Sequence, residues 1–255
     1  MTVIPAALID RLRQARRVVF FTGAGVSAES GIPTFREAQT GLWARFRPEE
    51  LASPEAFRES PQRVWDWYAW RRSACLAARP NPAHHAIAAL QRQWPDSVLI
   101  TQNVDGLHRR AGSVEPLELH GTLHRLACFA CGRDAGDWPE NPPPSVPRCA
   151  CGGQLRPAVV WFGEALPAAT LRRAVEASEA ADLFVSIGTS AQVYPAAELP
   201  LLARRQGAWL VEVNPQPAPL SALADLCLHG AAGEVLPALA ASLDLGCVDS
   251  PGASL

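Results

Sequence analysis

The chain has 255 residues, is 48% hydrophobic and 19% charged, and carries a formal net charge of −2. That length is enough to bury a sizeable core in one large α/β domain, or in one domain with a small insert. All 23 basic residues are arginine, which excludes Schiff-base, P-loop and pyridoxal-anchoring lysines, and the near-neutral balance argues against a broad phosphate-binding face for nucleic acid. In chain order, residues 5–17 carry apolar side chains at helical spacing, and Val18–Thr22 reads as a short apolar strand running into a Gly-rich turn. Helical patterns over 61–78 and 82–94 precede a second buried strand, Val98–Thr101. Leu183–Ile187 and Trp209–Val213 are two more strands, with helical patterns before, between and after them. Continuous apolar strands separated by amphipathic helices predict a parallel sheet covered on both faces. Ligand chemistry is then expected at the carboxyl ends of the strands.

Residues 125–156 break this rhythm with two cysteine pairs and the Pro-rich run WPENPPPSVP, which cannot sit inside a sheet, so they read as an inserted module. The N-terminal segment lacks a basic region followed by a long apolar run, and no 18-residue stretch is free of charge and polar breaks. Neither a signal peptide nor a membrane span is therefore expected. Of seven cysteines, four form two close pairs while Cys75, Cys227 and Cys247 are scattered, a usage that suits the reducing cytoplasm better than a disulfide framework.

Cys128-x-x-Cys131 and Cys149-x-Cys151, with 17 residues between the pairs, are the strongest purely chemical signal. Two such pairs hold Zn²⁺ through four thiolates with no open ligand position, so the metal is expected to be structural. The second pair is tighter than the usual C-x-x-C, which leaves His124 open as an alternative ligand. A zinc ribbon can also bind nucleic acid, but Arg125, Arg133, Arg148 and Arg156 are offset here by Asp134, Asp137 and Glu140, and no nucleic-acid partner is expected.

Gly23-Ala24-Gly25-Val26-Ser27-Ala28-Glu29-Ser30-Gly31 follows the first strand directly. Glycines there let the backbone approach a pyrophosphate, and the N–H groups opening the next element supply anion donors. The run departs from G-x-G-x-x-G, and no acidic residue about 20 positions on ends a second strand, so an ordinary dinucleotide dehydrogenase fits it poorly. A plain tight strand-to-helix turn is the other reading.

Read onward, the turn becomes GAGVSAESGIPTFR (Gly23–Arg36), followed by TQNVDGLHRRAG (Thr101–Gly112), LHG (Leu119–Gly121), the cysteine pairs, VVWFGE (Val159–Glu164), GTS (Gly188–Ser190) and VN (Val213–Asn214). In that order these motifs resemble the sirtuins, the NAD-dependent protein deacylases, from about residue 18 to 236. The resemblance implies a Rossmann-like NAD-binding domain of residues 1–43, 80–123 and 158–255. It adds a small domain made of a helical insert, 44–79, and a zinc-binding module, 124–157. NAD would lie between them. Gly23, Ala24, Gly25, Ser27 and Glu29 match the phosphate-cradling turn, and Thr34, Phe35, Arg36 and Trp43 the positions beside the nicotinamide ribose. Gln102, Asn103, Val104 and Asp105 match the group holding that ribose and the carboxamide. Gly188, Thr189, Ser190, Asn214 and Ala232 match the adenosine side. Val159 and the residues Val160, Trp161, Phe162, Gly163 and Glu164 match the edge on which an acyl-lysine protein or peptide adds a strand.

His120 matches the family's catalytic base, with Asn103 and Asp105 in the same catalytic group. The implied reaction starts when the acyl oxygen attacks C1′ of the nicotinamide ribose and expels nicotinamide. The imidazole, which titrates near neutrality, then activates a ribose hydroxyl. That hydroxyl attacks the resulting imidate, and hydrolysis yields free lysine and O-acyl-ADP-ribose. On the predicted helix, Tyr68 and Arg71 share a face and resemble the Tyr-x-x-Arg pair of the sirtuin class that removes succinyl, malonyl or glutaryl groups. A guanidinium can clamp a terminal carboxylate while the phenol adds a hydrogen bond. Ala52 falls where that class keeps a small residue. The bland alternative for Arg71 and Arg72 is a solvated pair among core aromatics. Mono-ADP-ribosyl transfer from the same NAD site, and an NAD sensor or zinc-ribbon adaptor without turnover, are the competing functions; the chain is expected to act as a monomer.

Overall fold

The computed structural model describes residues 2–33 and 46–244. Within them the order is α1 (Ala6–Gln14), β1 (Val18–Thr22), α2 (Pro54–Glu59), α3 (Pro61–Ala77), α4 (Pro82–Gln93), β2 (Val98–Thr101), α5 (Leu107–Arg110), β3 (Leu117–Glu118) and β4 (Gly121–Cys128). There follow β5 (Asp134–Asp137), β6 (Leu155–Val159), α6 (Ala168–Glu179), β7 (Leu183–Ile187), α7 (Leu199–Arg205), β8 (Trp209–Asn214), β9 (Leu226–His229) and α8 (Ala232–Ala241). Six parallel strands form one sheet in the order β3-β2-β1-β7-β8-β9, the doubly wound arrangement expected from the sequence. Among the described residues, no helix is long and apolar enough to cross a membrane.

The period of two along each strand explains why these runs are apolar throughout. In β1, Val18 and Phe20 join a core with Leu8 and Leu12 of α1, Ile87 and Leu90 of α4, and Val235 and Leu239 of α8. Val19 and Phe21 point to the other face, where they pack with Phe184, Ala174 of α6 and Leu199 and Ala203 of α7. Each fully buried Leu, Ile or Phe contributes about 1.5–3 kcal/mol relative to exposure, so both faces hold the sheet. The first helix stops at Gln14, short of the expected 17, because Ala15 turns extended to feed β1.

The inserted module forms a second sheet, antiparallel, in the order β5-β4-β6, a feature absent from the sequence reading. The Pro-rich run lies outside its strands. Where this sheet meets α2 and α3, a third core gathers Phe57, Trp65, Trp67, Tyr68, Trp138 and Trp161. Arg72 is not solvated: it is 6% exposed, and its Nη2 donates to the Trp138 carbonyl at 2.7 Å, tying α3 to the chain after β5.

The parallel sheet reverses its winding between β1 and β7, and the two strand ends touch through backbone alone. Gly188 has φ +59°, and a Cβ there would lie 2.4 Å from the Val26 nitrogen. Gly188→Ala should therefore lower the unfolding free energy by about 2 kcal/mol or more. A urea midpoint unchanged from wild type would contradict this packing.

Candidate active site

The crevice opens at the carboxyl ends of the strands, beside that winding reversal. Gly23 and Gly25 donate their N–H groups to the carbonyls of Ile187 and Gly188 at 3.0 and 2.8 Å. A Cβ on Gly23 would sit 2.6 Å from the Thr189 Cβ, and one on Gly25 would sit 2.8 Å from the Gly188 carbonyl. The turn continues as a 3₁₀ helix, Ala24–Ser30, rather than a plain strand-to-helix turn. The adenosine-side positions gather at the ends of β7 and β8. Asn214 Nδ2 donates to the Thr189 carbonyl at 3.0 Å, and Ser190 beside it is exposed. Glu29 accepts from the Gly233 N–H at 2.7 Å, which fastens the turn to the start of α8 beside Ala232.

The loop after β2 carries the polar cluster. Asn103 is buried; its Nδ2 donates to the Gly23 carbonyl at 3.0 Å and to Ser27 Oγ at 3.2 Å. Ser27 Oγ in turn donates to Asp105 Oδ2 at 2.8 Å, and Asp105 Oδ1 accepts the Leu107 N–H at 2.9 Å. Burial pushes the Asp105 carboxyl above the ordinary range, opposed by these two donors. Gln102 Nε2 donates to Thr189 Oγ1 at 2.9 Å, joining the two halves of the crevice.

His120 lies 3.0 Å from the Gln102 carbonyl through Nδ1. A carbonyl only accepts, so Nδ1 carries a proton, and in the neutral ring Nε2 then holds the lone pair. Burial lowers the His120 pKa below the ordinary histidine value, partly offset by that hydrogen bond. Burial thus favours the neutral ring, whose tautomer is the one a general base needs.

One cavity of about 450 Å³ is lined by Ser27, Gln102, Asn103, Val104, Asp105 and His120 together with Ala52, Tyr68, Arg71 and residues 159–164. Positions far apart in sequence are so brought into one space. Tyr68 is buried, and its phenol is pushed up to about 12 by burial. The Arg71 guanidinium lies 5.0 Å from the Trp67 ring centre. Phe162 donates its N–H to the Ala52 carbonyl and Val160 to the His120 carbonyl, both at 2.9 Å, which fixes the edge after β6. Glu164 is used differently from its neighbours on that edge. Its carboxylate takes two bonds from Arg156, at 2.5 and 2.9 Å, and one from the Trp161 N–H at 2.8 Å. The expected positions Thr34, Phe35, Arg36 and Trp43 lie outside the described residues.

Several contributors were missed by the sequence reading. His84 Nε2 lies 3.4 Å from Ser27 Oγ, and its ring packs 4.8 Å from that of His108, which contacts Thr22 Oγ1 at 3.0 Å. Leu166, Val193, Tyr194 and Pro195 also line the cavity. The only signal for them was adjacency to the VVWFGE and GTS motifs.

The ligand atoms of Cys128, Cys131, Cys149 and Cys151 all lie within 4.8 Å of one another, with Cys151 Sγ 3.5 Å from both Cys128 and Cys131 Sγ. Four thiolates at a Zn–S distance of about 2.3 Å would be separated by about 3.8 Å, so the set fits one zinc. Gly153 has no room for a side chain, since a Cβ would lie 2.9 Å from Cys128 Sγ. His124 is not part of this cluster; its Nε2 donates to the Asp105 carbonyl at 2.8 Å. The purified protein should carry one zinc per chain. Cys131→Ser or chelation should release it and lower the melting temperature by roughly 10 °C or more. Metal-free protein of unchanged melting temperature would count against a structural ion.

Comparison with known proteins places this geometry among relatives. The Sir2 family profile matches residues 23–195. The chain is 55% identical to the NAD-dependent protein deacylase 1 of Pseudomonas aeruginosa, over 91% of this chain and 96% of the relative. It is 52% identical to the NAD-dependent protein deacylase of Methylococcus capsulatus, over 92% and 96% of the two. Among solved structures, a Sir2 homologue–NAD complex matches with a TM-score of 0.90 and 46% identity, covering 96% of each chain. A Sir2 bound to acetylated peptide matches with a TM-score of 0.84 and 32% identity, covering 96% of this chain and all of the other.

Proposed function

The chain belongs to the Sir2 family and is an NAD-dependent protein deacylase with one structural zinc site, and we propose that its preferred substrates are lysines whose acyl group ends in a carboxylate. The observation that carries the proposal is the shared cavity: Tyr68 and Arg71 line the same space as His120, Asn103 and Asp105. An acetyl group would leave that end unfilled, whereas a succinyl or malonyl carboxylate would meet a guanidinium and a phenol. Mono-ADP-ribosyl transfer from the same NAD site has no use for such a pair.

Bound NAD supplies an electrophilic ribose carbon and nicotinamide as the leaving group. In this reading the Gly23–Gly25 turn would hold the phosphates and Gly188 the adenosine side, with the two packed against each other through glycine backbone. Asn103 and Asp105 orient the nicotinamide ribose, each already fixed by Ser27. His120 Nε2 takes the proton of a ribose hydroxyl, and the Gln102 carbonyl holds the resulting imidazolium through Nδ1–H. The acyl-lysine peptide would pair along Val160–Glu164, and with one water consumed to release the lysine the products are free lysine, nicotinamide and O-acyl-ADP-ribose. The zinc cysteines hold the antiparallel sheet and take no part in chemistry.

The thiols of Cys75 and Cys227, which form no disulfide, and the four-thiol cluster support a cytoplasmic location.

Two outcomes are expected. Arg71→Met should cut kcat/KM for a succinyl-lysine peptide at least roughly tenfold more than for the acetyl-lysine peptide, the scale of one charge-assisted contact; equal losses on both would contradict the acyl preference. Because the His120 pKa is depressed, the neutral base should persist to lower pH. The acid limb of the kcat/KM profile should therefore fall below about 6.5, the ordinary histidine value. A limb above that value would contradict the assigned base.

A further inference from the structure

We propose that Trp161 is a positioning residue for acyl selectivity: its indole N–H occupies the Tyr68 hydroxyl as an acceptor and so commits the Tyr68 O–H to donate into the acyl end of the cavity. The proposal rests on the reading that this end receives a carboxylate.

The direction of the bond follows from chemistry. Trp161 Nε1 lies 3.0 Å from the Tyr68 hydroxyl oxygen, and an indole nitrogen is a donor only. The phenol must therefore accept at that contact, which leaves its own proton for another partner. Tyr68 lines the cavity beside Arg71, and a carboxylate offers acceptors alone. With its pKa raised to about 12, the phenol keeps that proton across any working pH.

The indole is itself held rigidly. Trp161 is 2% exposed, and its ring packs 5.3 Å from that of Phe57. The Arg156 guanidinium lies 3.3 Å from its ring centre, and Glu164 fixes Arg156 while also accepting the Trp161 backbone N–H. A cation over the ring face withdraws charge from the indole and strengthens Nε1–H as a donor. The chain Glu164–Arg156–Trp161–Tyr68 thus runs from the peptide-pairing edge to the acyl end, and a phenol with its O–H direction fixed loses less freedom on binding a carboxylate.

The test is kinetic, on the full-length zinc-loaded enzyme with succinyl- and acetyl-lysine peptides of one sequence. Trp161→Phe keeps an aromatic ring, though a smaller one, and removes the N–H. It should lower the succinyl-to-acetyl ratio of kcat/KM by roughly three- to tenfold, the size of a hydrogen bond, mainly through KM for the succinyl peptide. Tyr68→Phe should lower the same ratio, and the double variant should be no worse than Tyr68→Phe alone, since both act through one hydroxyl. An unchanged ratio in Trp161→Phe, or full additivity in the double variant, overturns the proposal. If Trp161→Phe does not fold, Tyr68→Phe decides: it should lower the ratio and shift one ¹⁵N indole resonance, and a wild-type ratio or an unshifted spectrum overturns the proposal. Arg71→Met, measured beside them, separates the two claims. If it lowers the ratio while Trp161→Phe does not, only the role of Trp161 fails; if it leaves the ratio unchanged, the carboxylate reading fails and this inference with it.

Discussion

The structure turns on one backbone contact, the meeting of Gly23 and Gly25 with Gly188 where the parallel sheet reverses its winding. Added Cβ atoms at these glycines would fall 2.4 to 2.8 Å from neighbouring atoms, so nothing but hydrogen fits there. The contact sets the spacing of β1 and β7 at their carboxyl ends, and therefore the floor of the crevice. It also presents the Gly23 carbonyl to Asn103, which begins the chain through Ser27 to Asp105. A polar cluster needs fixed partners, and these glycines supply the first of them.

Around that floor the molecule divides its work between two kinds of core. The aliphatic cores on the two faces of the parallel sheet hold the strand ends that form the crevice floor. The aromatic core beneath α3 holds Tyr68 at the other end of the cavity, and the four-cysteine cluster braces the antiparallel sheet beside it. Arginines join these parts. Arg156 ties Glu164 to β6, Arg72 ties α3 to Trp138, and Arg110 donates to the carbonyls of Cys75 and Ala78 at 3.0 and 2.7 Å. Forked donors suit such bridges better than an ammonium point charge. The absence of lysine has a plain consequence in a lysine deacylase: no side chain of this enzyme can serve as its own acylated substrate.

Much of the fold was legible because its central strands are buried on both faces. VVFFT, VLIT and LFVSI carry no charge, and their three polar residues, Thr22, Thr101 and Ser186, are small and buried, so each strand falls where its apolar run predicts. The short strands Leu117–Glu118 and Asp134–Asp137 were not legible, since two to four residues of mixed polarity carry no period. The site divides in the same way. Motifs contiguous in sequence, such as TQNVD with LHG, named the polar cluster, and the fold only had to bring them together. Contacts between distant positions left no local mark: Trp161 and Tyr68 are 93 residues apart, and Arg156 reads as a basic ribbon residue until Glu164 is seen to hold it. His124 shows the opposite hazard. Its place beside the cysteines suggested a zinc ligand, whereas it turns toward the Asp105 carbonyl.

The central claim is that one cavity joins NAD chemistry to an acyl group ending in a carboxylate. Mass spectrometry of the products formed from NAD and a succinyl-lysine peptide tests it most directly. The account predicts free lysine peptide, nicotinamide and succinyl-ADP-ribose in equal amounts. ADP-ribose attached to protein, or turnover of the acetyl peptide with the succinyl peptide left intact, would contradict it.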